Sequence, residues 1–238
     1  MTLPFAPPPK IVVFTGPGLA RAAGFAPFDP EALPWDVALD DVLTRAGFAR
    51  DPDLVRDFYN RARRQSQALP PSAAHEALAA LELTRPGEVL LVTRNIDDLH
   101  ERAGSRAVIH THGELMQARC GVCTHISGWL DDMSAASRCP VCGNNGHLRP
   151  HIVWVGDPPL GLDQAYPALA HCTVYAAIGN GGGGEPGRGF LAAAKEAGAH
   201  TVEFAAELTP LSADYAERRH GPLVETVPEW ARRQIAER

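Results

Sequence analysis

Four cysteines give the strongest chemical signal in this sequence. Cys120 and Cys123 form one C-x2-C pair and Cys139 and Cys142 a second, with fifteen residues between the pairs. Thiolates at this spacing reach the four corners of a zinc tetrahedron without strain, each pair supplying two ligands from one tight turn. Gly121 after the first cysteine, and Pro140 and Gly143 around the last pair, provide turn chemistry. Four thiolate ligands leave no position open for water, so such a metal holds structure rather than doing chemistry. Two exposed thiol pairs or two disulfides are the competing readings. The lack of a signal-peptide pattern argues against the disulfides.

Other candidates lie where apolar runs end. His110-Thr111-His112-Gly113 precedes the cysteine segment. A histidine at a domain junction can act as a general base near neutral pH, or can be hydrogen-bonded for structure. Metal binding by these histidines is disfavoured, because the cysteines already fill one site. In a strand-like H-T-H segment residues two apart point the same way, so direction alone cannot choose between His110 and His112. Thr93 to His100 follows another apolar run. Asn95 and Asp97 alternate around Ile96 there and can face a cleft, or either can cap the helix carrying Leu99 and Ala103. Two glycine-rich exits complete the set. Gly16 and Gly18 suit a phosphate-binding turn, although Pro17 has no N–H to donate and an ordinary strand-to-helix turn fits as well. Gly179, Asn180 and Gly181 open a run through Gly184 that could cradle a phosphate or be only a mobile loop.

These loops need a scaffold, and the apolar runs describe one. Ile11–Phe14, Val89–Val92 and Val174–Ile178 read as buried parallel strands. Thr201–Phe204 is a fourth, following a helical pattern from Phe190 to Ala197. Alternating strands and helices indicate an α/β fold with a parallel sheet, whose ligands bind beyond the carboxyl ends of the strands. Between Pro34 and Pro70 the spacing turns helical and charged, as in Leu54–Tyr59, and reads as a helical insertion. Gly113 to Arg149 has few long apolar runs and reads as a module organised by metal. The expected division is a large domain of 10–33, 72–112 and 150–238, with 34–71 and 113–149 forming a small domain. The Pro-rich start reads as a frayed arm and Cys172 as a small buried hydrophobe.

Composition narrows the functional classes. The chain has 238 residues, is 45% hydrophobic and 21% charged, and carries a net charge of −6. That balance argues against a general nucleic-acid binder, which would show a basic stripe. No apolar run approaches the eighteen residues of a bilayer span. A reducing cytoplasm suits zinc thiolates.

In order along the chain, these segments resemble the sirtuin family of NAD-dependent protein deacylases, its bacterial members above all. The matching segments are Asn95-Ile96-Asp97-Asp98-Leu99-His100-Glu101-Arg102-Ala103-Gly104, His112-Gly113-Glu114-Leu115, the cysteine quartet and Leu148 to Asp157. The resemblance covers about Lys10 to Trp230. It implies a Rossmann-like large domain and a small zinc-plus-helical domain with substrates in the cleft between them. It further implies that His112 is the general base and that Asn95 and Asp97 serve the nicotinamide and ribose end of NAD. The family chemistry joins an acyl oxygen to the ribose carbon as nicotinamide leaves, with the base then activating a ribose hydroxyl. Val153, Trp154, Val155 and Gly156 fall on the strand that pairs with an acyl-lysine peptide. Phe28 falls on an aromatic near the reacting end, and Tyr59 on the tyrosine of an acyl-selecting pair whose arginine is here Ala62.

The departures from the family pattern gather on the cofactor side. The first loop of the family, G-A-G-I-S, is here Gly16-Pro17-Gly18-Leu19-Ala20. Asp29 stands at an arginine position, Arg94 at a glutamine, Gly179-Asn180-Gly181 at a G-T-S loop and Ala205 at an asparagine. The expectation is structural zinc together with NAD held more weakly, at roughly 1.5–3 kcal/mol for each lost charge-assisted bond. An active deacylase of acylated peptides, a repurposed enzyme with another small-molecule ligand, and a non-catalytic zinc-containing binding protein remain in competition.

Overall fold

The computed structural model describes residues 8–29, 37–180, 184–207 and 209–237. The Pro-rich arm before Pro8, the start of the helical insertion at Pro34, and Gly181 with the two glycines after it lie outside these residues. In chain order the elements begin β1 (Ile11–Thr15), α1 (Pro17–Ala22), α2 (Leu39–Leu43), α3 (Arg45–Arg50), α4 (Pro52–Ala68) and α5 (Ala73–Thr84). They continue β2 (Val89–Thr93), α6 (Leu99–Ala103), β3 (Val108–His110), β4 (Gly113–Cys120), β5 (Ile126–Gly128) and β6 (Leu148–Ile152). The chain closes with α7 (Leu162–Leu169), β7 (Val174–Ile178), α8 (Gly187–Glu196), β8 (His200–Ala205), β9 (Glu217–His220) and α9 (Leu223–Ala236).

Six parallel strands form the main sheet in the order β3-β2-β1-β7-β8-β9. The apolar runs become central strands because both faces of the sheet are covered. Ile11, Val13, Leu91, Ile178, Val202 and Phe204 share one cluster with Leu78, Val227 and Trp230 of α5 and α9. The intervening residues Val12, Phe14, Leu90, Val92, Tyr175 and Ala177 meet Leu169 and Phe190 of α7 and α8 on the other face. The strand order reverses between β1 and β7, which is where α/β sheets bind ligands. The register makes this edge level. Thr15 pairs with Thr93 and with Ile178, Thr93 with His110, and Ile178 with Phe204. Gly16, Arg94, Thr111 and Gly179 therefore leave the sheet at one edge, beside Ala205 at the end of β8.

A second, three-stranded antiparallel sheet runs β5-β4-β6. Its own core is small: Ala118, Cys120, Met133, Cys139 and Leu148. Helix α4 holds this module by polar contacts. Arg63 donates to the carbonyl oxygens of Leu115 and Asp131, Arg56 to Leu148 and Gly146, and Asn60 exchanges two bonds with the Met133 backbone. The helix itself starts where Asp51 accepts from Leu54 N at 2.9 Å with Pro52 in the first turn, a cap worth about 1 kcal/mol. An aromatic cluster joins these parts. Phe28, Phe58, Tyr59 and Trp154 have ring centroids 5.1–6.4 Å apart around the buried Ile96, Leu115 and Ile152.

Two expectations need correction. The H-T-H segment is not a continuous strand: β3 ends at His110, and Thr111 and His112 form a turn before β4. Val153 to Gly156 is not a strand either. β6 stops at Ile152, and the chain turns through Gly156 at φ +91, a conformation costly for other residues. The amides of Val153 and Val155 are spent on the carbonyls of His112 and Leu43, each at 2.9 Å.

Candidate active site

The glycines at the exits of β1 and β7 are required by each other. A Cβ on Gly16 would lie 2.5 Å from Asn180 Oδ1, one on Gly18 2.9 Å from Gly179 Cα, and one on Gly179 2.6 Å from Leu19 N. Gly179 also has φ +64. The two loops are packed backbone against backbone, and this contact uses their donors. Gly16 N donates to Ile178 O, Gly18 N to Gly179 O, Leu19 N to Gly16 O and Gly179 N to Phe204 O. Pro17 has none to offer. The amides that would make this a phosphate-binding turn are thus satisfied within the protein. Asn180 Nδ2 donates to Phe14 O at 2.7 Å, while its Oδ1 is buried without a partner.

At the exit of β2, Asn95 and Asp97 are 5% and 2% exposed. Asp97 Oδ1 accepts from Leu99 N at 3.2 Å, so Asp97 does cap α6, from one residue before the N-cap Asp98. Its Oδ2 and the Asn95 Nδ2 remain buried and unpaired. Buried polar atoms of this kind ordinarily have partners, and these two lie on one loop at a strand exit. Burial raises the Asp97 carboxyl to about 6.

The two histidines are separated by their hydrogen bonds. His110 Nδ1 lies 2.9 Å from the Asn95 carbonyl oxygen, and Nε2 lies 2.9 Å from a Glu101 carboxylate oxygen. Both partners only accept, so both nitrogens carry hydrogen and His110 is an imidazolium when both bonds are made. Burial pulls its pKa down, but the Glu101 bond and charge and the Asn95 carbonyl outweigh it, and the pKa is raised. His112 is different. Its Nδ1 lies 2.8 Å from Thr111 Oγ1, and that hydroxyl donates to Thr93 O at 3.0 Å. A hydroxyl has one hydrogen, so Nδ1–H of His112 must be the donor and Nε2 keeps its lone pair. Burial, then the charge of Arg94, lowers the His112 pKa to about 4. The ring is neutral at pH 7 with Nε2 available to take a proton. Thr111 was not singled out in the sequence. Nothing local marks it, because its role depends on β2 and β3 lying side by side.

Beside these groups lies a cavity of about 1010 Å³ at the strand exits. Its lining includes Pro17, Gly18, Arg94, Gly179, Asn180 and Ala205, with Leu223 and Pro210 giving an apolar wall. Asn95, Asp97 and His112 are not among its lining residues; Arg94 belongs to the cavity and acts on His112. Asp29 is not a bare charge, since Arg21 lies 3.0 Å from it in an ion pair. Ala20 is buried, and Phe28 is half-buried in the aromatic cluster. Tyr59 is fully buried with its hydroxyl unpaired, and Trp154 is 2% exposed while Val155 is 68% exposed. Arg149 stacks over Trp154 at 5.1 Å.

The four cysteine Sγ atoms all lie within 4.8 Å of one another. Cys120 and Cys142 are 3.7 Å apart, and Cys123 and Cys139 3.6 Å. A disulfide needs about 2.05 Å. Tetrahedral zinc with Zn–S of about 2.3 Å needs sulfurs about 3.8 Å apart, and the cluster fits that ion.

The chain is similar to known proteins over most of its length. The model of the Sir2 family matches residues 16–185. The NAD-dependent protein deacylase of Escherichia coli (strain K12) is 42% identical over 230 residues, 95% of this chain and 82% of the relative. That of Salmonella typhimurium is 43% identical over 225 residues, 93% of this chain and 82% of the relative. A solved Sir2 homolog–NAD complex superposes with a TM-score of 0.86 at 28% identity, over 98% of this chain and 92% of the other. A mutant Sir2 homologue in complex with ADP-ribose gives 0.84 at 30% identity, over 98% and 94%. A chain with this parallel sheet, this cysteine cluster and these relatives belongs to the Sir2 family.

Proposed function

We propose that this chain is an NAD-dependent protein-lysine deacylase, a transferase-type enzyme that releases nicotinamide and passes the acyl group to ADP-ribose. One observation carries the reading: His112 is held as the neutral tautomer with Nε2 free, next to a loop whose Asn95 Nδ2 and Asp97 Oδ2 are buried and unpaired. A pocket kept only for binding has no need of an oriented base. The bacterial relatives named above are deacylases, which supports the same reading.

NAD, when bound, supplies a ribose carbon that accepts the acyl oxygen and a nicotinamide that leaves. The residues of this chain do the rest. Gly16, Gly18, Gly179 and Asn180 shape the cofactor side, with Arg94 and Phe28 at its edge. Asn95 and Asp97 position the nicotinamide ribose. His112 Nε2 takes the proton of a ribose hydroxyl, Thr111 orients the ring, and the aromatic cluster excludes water. Tyr59, Val153, Trp154, Val155 and Gly156 receive the acyl-lysine and its peptide. Trp154 and Gly156 carry the amides in this turn that remain for a peptide, since Val153 and Val155 have spent theirs.

Cys120, Cys123, Cys139 and Cys142 would hold zinc, which would brace the three-stranded sheet. NAD binds more weakly than in a relative with free loop amides, because Pro17, Ala20 and Ala205 offer no polar side chain or loop donor. The thiolate cluster fits the reducing cytoplasm, and among the described residues no helix is long and apolar enough to cross a membrane. The net charge of −6 makes a nucleic-acid partner unfavourable.

The test is direct. Purified protein with millimolar NAD and an acetyl-lysine peptide should release nicotinamide in step with loss of the acetyl group. Absence of nicotinamide release over hours would sink the reading.

A further inference from the structure

Three arginines withdrawn from water are tied down within the protein. Arg56 and Arg63 donate to backbone carbonyls and to Asp53 and Asn60, and Arg149 donates to the Pro150 and Ile152 carbonyls. Arg94 is half-buried, its Nε is fully enclosed, and among the described residues its guanidinium has no hydrogen bond or ion pair. Its backbone is anchored, with N donating to Thr15 O at 3.0 Å. The side chain reaches over the β1 and β7 exits, where its Nη atoms lie 3.6 and 3.8 Å from the point a Gly184 Cβ would take. It lines the large cavity. Glu203, a buried acid lining a small pocket with Arg94, is committed to the hydroxyls of Thr209 and Ser212.

An unpaired cation in a partly dry site is costly, and a planar guanidinium is shaped to take a phosphate by two parallel bonds. Among the described residues the amides of Gly16, Gly18 and Gly179 are not available for this, because they are given to carbonyls. We propose that Arg94 is the anion-binding residue of this cavity and takes the diphosphate of an ADP-ribose-type nucleotide, a task moved from loop backbone to one side chain. The inference rests on the nucleotide half of the deacylase reading and adds the group that grips the phosphates. It also explains how a site with weakened loop contacts can still hold a nucleotide.

The experiment is calorimetric titration of the zinc-loaded full chain with ADP-ribose and with adenosine, which carries no phosphate. The variants are Arg94→Gln and Arg94→Lys, each checked for unchanged zinc content and melting temperature. Arg94→Gln should bind ADP-ribose at least tenfold more weakly and adenosine equally well. Arg94→Lys should retain part of the ADP-ribose affinity. Raising salt should weaken wild-type binding of ADP-ribose more than that of Arg94→Gln. Equal or tighter ADP-ribose binding by Arg94→Gln would overturn the proposal and make Arg94 an obstruction. So would a wild-type chain that binds adenosine but not ADP-ribose. Nicotinamide release is measured in parallel and separates the two readings. Turnover with Arg94-independent ADP-ribose binding defeats only this inference, whereas Arg94-dependent binding without turnover defeats only the deacylase.

Discussion

His112 Nδ1 lies 2.8 Å from Thr111 Oγ1, and that hydroxyl gives its only hydrogen to the Thr93 carbonyl 3.0 Å away. The chain of bonds sets the tautomer of the ring from the end of β2. Replacing Thr111 with Val keeps the shape and removes the acceptor. Thr111→Val should lower kcat roughly tenfold or more while KM for the peptide stays near wild type, and Thr111→Ser should restore most of the rate. Equal turnover in the Val variant would separate Thr111 from the chemistry.

His112→Ala should reduce turnover by about 10²–10⁴-fold, the usual worth of a positioned base, without changing zinc content or melting temperature. His110→Gln should act differently. It removes the ion pair with Glu101 and the tie to the Asn95 carbonyl, so its first effect is a lower melting temperature. Steady-state rates and thermal melts on both variants decide the matter. Wild-type turnover in His112→Ala would mean that the protein does not use this base.

One equivalent of zinc should accompany each chain, measured by metal analysis of freshly purified protein. Cys139→Ser should lose the metal and expose 113–149 to protease before the main sheet unfolds, because that module has a core of only five buried residues. Retention of zinc and protease resistance in the variant would contradict a four-thiolate site.

NAD affinity should fall outside the low-micromolar range by calorimetry. Ala205→Asn places a polar side chain at the edge of the cavity and should tighten NAD several-fold, in line with about 0.5–1.5 kcal/mol for one neutral hydrogen bond. Low-micromolar binding by the unaltered chain would count directly against weakened cofactor contacts.

Acid should destabilise the fold through His75 and His100. Both are buried, their rings lie 4.8 Å apart, and each leaves one ring nitrogen unpaired. Burial lowers the His75 pKa to about 4, and burial together with His75 and His110 lowers that of His100 well below its ordinary value. A depressed histidine pKa means that the unfolded chain binds the proton first, so stability falls as pH drops from about 6.5 toward 4. The raised Asp97 carboxyl works the other way between about 4 and 6 and partly offsets this. His75→Gln should flatten the slope by about 1.4 kcal/mol per pH unit within the window, read from urea midpoints at several pH values. An unchanged slope would show that His75 is not neutral in the fold.

Much of this molecule is written locally. The runs Ile11–Phe14, Val89–Val92 and Val174–Ile178 are strands because only a sheet covered on both faces accepts such continuous apolar residues. The cysteine spacing specifies a four-thiolate cluster because each ligand pair sits on its own turn. Strands β4 and β9 were not legible: Gly113–Cys120 and Glu217–His220 carry polar residues at positions that become ordered only by pairing with neighbours. The hydrogen bonds that set the His112 tautomer, the loss of the Gly16, Gly18 and Gly179 amides to carbonyls and the lack of a partner for Arg94 among the described residues belonged to the tertiary structure alone. Each depends on which strand exits lie side by side, and hydrogen bonds between residues tens of positions apart, such as Gly18 N to Gly179 O, leave no trace in local spacing.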